Sequence, residues 1–260
     1  MTPAGLGLSS DIKSMNHRLH RFHRLKRRNL CNLWFHLFSF SVDAYRAFVE
    51  RLANAPAPAN TLNPYAGPGA AALRRDNLAL YLTRLAVRRP GVLLVGEAPG
   101  YRGCAVTGVP FTSRAILLDE PSPFSLFGAA AGFRLGEKSC AAREASATIV
   151  WGTLTALGQL PLLWNACPFH PHPAGRPAAN RAPTAAEVAA GEWAVRELLV
   201  LFPVGQVIAV GHKARAALGR WGIPAAAVRH PSHGGKNAFA RELGRLFKKN
   251  GTTDYTDFTD

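Results

Sequence analysis

The chain has 260 residues, 48% of them hydrophobic, enough to bury one substantial core as a single domain. Lys and Arg number 31 against 16 Asp and Glu, a net charge of +15, which points to a polyanionic partner, nucleic acid before an anionic membrane. No apolar run reaches the about 18–20 residues that a bilayer demands, and Cys31, Cys104, Cys140 and Cys167 form no Cys-x-x-Cys pair, so spacing suggests no zinc site, no iron–sulfur cluster and no other cofactor. A cytoplasmic monomer with reduced thiols is expected.

Residues 17–25 repeat His-Arg-Leu, His-Arg-Phe, His-Arg-Leu, and residues 253–260 read Thr-Asp-Tyr-Thr-Asp-Phe-Thr-Asp. A three-residue period of this kind belongs to low-complexity sequence rather than to a packed core. Residues 1–40 and 251–260 are therefore expected to be disordered extensions, one basic and one acidic, around a domain at 41–250. Removing the +6 of residues 1–40 and the −3 of residues 251–260 leaves +12 on that domain, so the folded part is itself basic.

Val42, Tyr45, Phe48, Val49 and Leu52 recur at helical spacing. Ala55 to Gly69 follows with four prolines and Asn63-Pro64-Tyr65, either a connector or a wall of a site. Leucines return at helical spacing from Leu73 to Val87, and Pro90 stops that helix. Val92 to Val95 is then a continuous apolar run between Gly91 and Gly96, too short for a helix, and reads as a strand buried on both faces. The loop after it holds Gly96, Glu97, Pro99, Gly100, Gly103, Gly108, Pro110 and Phe111, a glycine-rich backbone able to approach a ligand closely.

Ser113 to Leu118 and Ala145 to Leu157 read as further helices. Leu162 to Trp164 is a second buried strand, delivering Asn165 into a proline-punctuated loop, Cys167-Pro168-Phe169-His170-Pro171-His172-Pro173. Thr184 and Glu187 make a capping box for a helix running towards Leu201. Gln206 to Val210 is the third strand and Gly211-His212-Lys213 opens the next helix. Ala225 to Val228 is the fourth strand, and it releases His230 to Asn237 before a C-terminal helix. Strands alternating with helices predict an α/β fold, three layers α/β/α around a central, mainly parallel four-stranded sheet. Ligands bind such sheets at the carboxyl ends of the strands. That rim collects Glu97, Phe111, Asn165 and His230.

An amide both donates to and accepts from a base edge, an aromatic ring stacks on a base, and glycine-rich and Ser/Lys loops hold phosphates through backbone N–H groups. A neutral imidazole can donate to charge developing on a departing base, and a carboxylate can position a water. The set suits N-glycosidic cleavage. His170, His172, His230 and His233 do not make a metal site, because Pro171 and Pro173 stiffen their spacing unhelpfully.

Gly96-Glu97-Ala98-Pro99-Gly100, Thr107-Gly108-Val109-Pro110-Phe111, Asn165 and His230-Pro231-Ser232 together resemble the ordered motifs of the uracil-DNA glycosylase superfamily over about residues 42–248. The first motif is similar to the thermostable bacterial and archaeal branch. Asn165-Ala166-Cys167-Pro168 and Asn180 to Thr184 are similar to the single-strand-selective branch. The resemblance implies that Phe111 stacks on a flipped uracil, that Asn165 with Gly96 binds its edge, and that His230 stabilises the leaving anion. It further implies that Pro99, Gly100, Ser232, His233, Lys236 and Asn237 meet DNA containing uracil or a deaminated base, the loop from His233 to Asn237 pressing into the duplex. Three departures stand out. The cluster-binding cysteine pair of the thermostable branch is absent, Ala98 stands where relatives carry a water-activating Asp or Asn, leaving Glu97 for that role, and Gly100 replaces the Tyr that excludes thymine. Two other readings stay open: a non-catalytic DNA-binding relative, and a nucleoside or small-molecule N-glycoside hydrolase.

Overall fold

Runs of four or five apolar residues between turn formers give short strands, and six are present among the described residues of the computed structural model, which describes residues 42–119, 121–136 and 143–251. They are β1 (Thr61–Leu62), β2 (Val92–Gly96), β3 (Leu162–Asn165), β4 (His170–Pro171), β5 (Gln206–Val210) and β6 (Ala226–Val228). Two compact units divide at Ala44, and the sheet lies in the second, Tyr45–Asp260. The low-complexity residues 1–40 and the repeat at 253–260 lie outside the described residues.

The fold is α/β, three layers around a parallel four-stranded sheet in the order β3-β2-β5-β6. Leu93, Leu94 and Val95 are fully buried in the centre of this sheet, as an unalternating apolar run requires when both faces are covered. Register decides what the strand ends present: Gly96 pairs with Asn165, and Val210 with Val228. At the sheet edge the outward N–H of Leu163 is donated to the Tyr81 hydroxyl at 2.9 Å, so the buried edge carries no orphan donor there. Burial pushes the Tyr81 phenol up, keeping it protonated. Phe48 packs edge-on against Trp164 with ring centres 5.4 Å apart, tying the first helix to the sheet, and Phe127 against Trp151 at 5.1 Å ties a loop to a helix, each through a large apolar surface.

The helices are α1 (42–54), α2 (Ala70–Arg88), α3 (Cys104–Thr107), α4 (Arg114–Leu118), α5 (Ala145–Leu157), α6 (Ala185–Ala189), α7 (Glu192–Leu201), α8 (His212–Arg220) and α9 (Lys236–Gly251). α2 ends where Arg89 turns left-handed before Pro90. The capping box at Thr184 and Glu187 is formed, but the single helix expected from Thr184 towards Leu201 is two. Gly191 is the reason for the break. A Cβ there would lie 1.9 Å from the Ala166 carbonyl oxygen and 2.7 Å from Pro168 Cδ, so the chain bends at a glycine pressed onto the loop that follows β3.

The proline-rich stretch 55–69 is a packed wall rather than a free connector. β1 pairs antiparallel with β4, the Asn63 amide donates to Leu52 and Ala55 carbonyls, and the buried Tyr65 hydroxyl donates to the Gly108 carbonyl at 3.0 Å. Two-residue strands are too short to leave a periodic signal, which is why the sequence does not announce this ribbon.

Gly191→Ala is expected to destabilise the fold by about 1–3 kcal/mol, as an atom forced into a filled site does. Gly152→Ala, in the exposed middle of α5 with nothing within 4 Å of the added carbon, is expected to stabilise by about 0.5–1 kcal/mol. Urea unfolding of the two variants beside the wild type checks both signs.

Candidate active site

The cavity begins with Gly96. A Cβ at this position would lie 2.3 Å from Phe111 Cζ and 2.8 Å from Asn165 Oδ1, so only glycine lets the ring and the amide close over the end of β2. Beyond the strands the two loops stay zipped, Ala166 N–H donating to the Gly96 carbonyl at 2.8 Å and Cys167 N–H to that of Glu97 at 2.9 Å. Asn165 is 5% exposed, and its amide makes no hydrogen bond to protein among the described residues. Phe111 adopts a left-handed backbone, φ 54°, a strained state for an aromatic residue. The turn before it is fixed by the Thr107 and Thr112 hydroxyls, 2.6 Å apart, and by the Trp151 indole N–H, which donates to the Phe111 carbonyl at 2.9 Å.

Phe111, Asn165, Glu97 and His230 face one cavity of about 470 Å³. The sequence brings these four together from three separate strand ends, and the structure does so. His230 stands in a turn after β6. Ser232 N–H donates to its Nδ1 at 3.2 Å, and since a backbone amide can only donate, Nδ1 is bare and the proton of the neutral ring sits on Nε2. Burial holds His230 below the usual imidazole range, outweighing the carboxylates of Glu97 and Glu144, while His233 and Arg229 push the same way as burial. The ring is thus a neutral donor near pH 7. Glu97 is half-buried with Lys213 Nζ of α8 3.3 Å from its Oε1.

The remaining expected residues divide. Pro99 and Gly100 line the cavity, and His233 faces both it and an adjoining cavity of about 650 Å³ that Ser232 also lines. Lys236 and Asn237 line neither. The loop expected from His233 to Asn237 ends at Gly235, because Phe239 N–H donates to the Gly235 carbonyl and closes the first turn of α9, leaving Lys236 and Asn237 exposed on that helix. His170, fully buried, sits between the carbonyls of Pro99 and Pro177, 2.8 and 3.0 Å from its ring nitrogens, and so joins the loop after β2 to the loop after β4. No group of three or more His, Cys, Asp or Glu able to hold a metal is found among the described residues. Cys104 lines the cavity, but burial pushes its thiol up to about 12, and that of Cys167 likewise, so neither is a thiolate nucleophile.

Among the lining residues, Glu144 escapes the sequence reading, whereas Asn180 and Arg181 belong to a motif quoted there without a role. Glu144 caps α5, its two oxygens accepting from Ser146 and Ala147 N–H at 3.1 and 2.7 Å. An acid directly before an apolar helical run is the signal that marks it. Asn180 accepts from Tyr101 N–H at 3.0 Å. Arg181 holds the same loop, reaching the His172 and Asn60 carbonyls and gripping the buried Glu187 through both carboxylate oxygens at 2.5 and 2.7 Å. That grip holds Glu187 below its ordinary carboxylate value.

The family model of the uracil DNA glycosylase superfamily matches residues 84–249, well over half of the chain. The chain belongs to the uracil DNA glycosylase superfamily. Among solved structures, wild-type SMUG2 of Pedobacter heparinus is similar in fold, with a TM-score of 0.58 and 16% identity over 82% of this chain and 99% of that one. No curated protein matches. Membership of the superfamily supports a DNA-glycosylase type of hydrolase, with DNA as its partner. No helix among the described residues is long and apolar enough to cross a membrane.

Arg181→Met leaves the Glu187 carboxylate buried without its partner and is expected to cost this glycosylase-family domain about 3 kcal/mol. The pair's contribution is present above the ordinary carboxylate range and lost as pH falls through the lowered Glu187 value. Urea unfolding at several pH values should therefore show the difference between wild type and variant shrinking as the solution is acidified.

Proposed function

We propose that the protein is a monofunctional DNA glycosylase that hydrolyses the N-glycosidic bond of uracil, or of a related deaminated base, in DNA. One observation carries the reading: Asn165, 5% exposed, hydrogen-bonds no protein group among the described residues through its side chain and faces the same cavity as Phe111 and His230. Its amide is free to pair with a ligand that enters the cavity. An amide donates and accepts side by side, as the edge of a pyrimidine does.

In this reading the target nucleotide leaves the stack, at a cost of a few kcal/mol, and its base slides onto Phe111 with its edge on Asn165. The glycosidic bond lengthens and negative charge gathers on the departing base. His230 donates its Nε2 proton as a hydrogen bond to that charge, and because Nδ1 accepts from Ser232 N–H, Nε2–H is the one donor the neutral ring has. Glu97, steadied by Lys213, orients the water that attacks the sugar. Pro99, Gly100, Ser232 and His233 meet the DNA around the opening, and exposed Lys236 and Asn237 add contacts from the first turn of α9. The catalytic domain is residues 41–250, with the two low-complexity ends outside it, and the enzyme acts as a cytoplasmic monomer without cofactor. The engagement of Glu97 by Lys213, with Ala98 beside it, is the feature that favours the alternative of a DNA-binding relative without chemistry.

Free-base release from an oligonucleotide carrying one uracil, single- and double-stranded, tests the proposal. Wild type should cleave, and His230→Ala and Asn165→Ala should each lower the rate by about 10²–10³-fold. Salt-sensitive binding with no release of uracil, hypoxanthine or xanthine would leave the DNA-binding relative, and salt-insensitive cleavage of free nucleosides the small-molecule hydrolase. The rate should also fall on the acid side as His230 takes up a proton, and the midpoint should lie below the usual imidazole range, since burial lowers it.

A further inference from the structure

The turn from His230 to His233 contains three hydrogen-bonded groups whose donor directions follow one from another. Ser232 N–H donates to His230 Nδ1 at 3.2 Å, so that nitrogen carries no proton. Ser232 Oγ lies 2.6 Å from the same nitrogen, so the hydroxyl must donate as well. With its proton committed, Oγ can only accept from His233 Nδ1, 2.9 Å away. That nitrogen therefore carries a proton.

We infer that His233 is a positioning residue for base release: its Nδ1–H holds the Ser232 hydroxyl aimed at His230, which keeps the His230 proton on Nε2, the nitrogen left free for the departing base. The catalytic consequence rests on the glycosylase reading; the order of hydrogen bonds does not. Two donors on Nδ1 also draw electron density from the ring and make Nε2–H the stronger donor. The backbone supports the assignment. His233 is left-handed at φ 52°, a strained state that glycine or asparagine would hold more easily, yet the turn presents an imidazole to Ser232.

The charged and titratable groups that line the two cavities beside this turn are Glu97 after β2, Cys104 on α3, Glu144 before α5, Arg181 before α6, His212 and Arg215 on α8, Arg229 after β6 and Glu242 on α9. Glu242 accepts the Arg229 N–H at 2.7 Å and Glu97 is held by Lys213; among the described residues, Ser232 alone hydrogen-bonds the His233 ring. A ring with its hydrogen on Nε2 instead would turn Nδ1 into an acceptor that pulls the Ser232 hydroxyl away from His230. Base release should weaken on the acid side as His230 protonates.

The test is single-turnover base release at saturating enzyme across pH for wild type, His233→Asn, His233→Asp and His233→Gly, beside DNA affinity and the ¹⁵N spectrum of the histidine rings in the DNA-free protein. Asn tolerates the left-handed backbone and places an N–H donor where Nδ1 stood, so it should keep most of the rate. Asp places an acceptor there and should lose about tenfold, and Gly, which relieves the backbone and leaves Ser232 unheld, about threefold. The His230 Nδ1 resonance should move in His233→Asp and stay in His233→Asn. Wild-type rate and pH profile in both Asp and Gly variants would overturn the inference, as would a His230 ring protonated at Nδ1. Should the wild type release no base at all, the glycosylase reading fails, and the ring resonances alone then decide: a shift confined to His233→Asp upholds the relay and an unmoved signal overturns it.

Discussion

The parallel register of β2 against β3 sets Gly96 beside Asn165, and the site depends on that pairing. A slip of one residue would turn Asn165 to the other face of the sheet and bring the side chain of Val95 or Glu97 to the place where Phe111 now rests. Because Gly96 has no side chain, an aromatic ring and an amide share a space that any other residue would fill. The zipped loops beyond the strands, Gly96 to Ala166 and Glu97 to Cys167, carry the order of the sheet outward into the cavity, so that a rigid element rather than a loop positions the Asn165 amide.

Electrostatics then divides the site into two kinds of group. His230 is kept neutral by burial and by a backbone N–H that can only donate, whereas Glu97 is kept beside a cation. One can donate without first losing charge; the other can accept without first losing a proton. Around them, Arg181 with Glu187, and His170 between two prolyl carbonyls, spend charged and polar side chains on loop carbonyls. These contacts act on the walls, and the fixed walls leave the unpaired Asn165 amide as the group that a ligand must answer.

Much of this was legible in the residues. Four strands, their parallel direction and the convergence of Glu97, Phe111, Asn165 and His230 follow from apolar runs that stop at glycine, asparagine or a basic residue, where a polar loop begins. The β1–β4 ribbon was not legible, because two residues have no period. The break between α6 and α7 depends on Ala166, which is distant in sequence from Gly191, and no local pattern records that collision. Asn180 and Arg181 were visible as a motif without a role, and Glu144 as a helix cap, but their place at the cavity depends on tertiary packing. Lys236 and Asn237 were read as loop because Gly234 and Gly235 precede them, but the second glycine starts the helix instead of prolonging the turn.

Phe111 and His233 both hold left-handed backbones that suit glycine or asparagine better. A search for stabilised variants that scores only backbone strain would be drawn to both positions, although the Phe111 ring also packs against the core. Each such change would remove a ring from the lining of the cavity, so strain relieved in the backbone is taken out of the cavity wall.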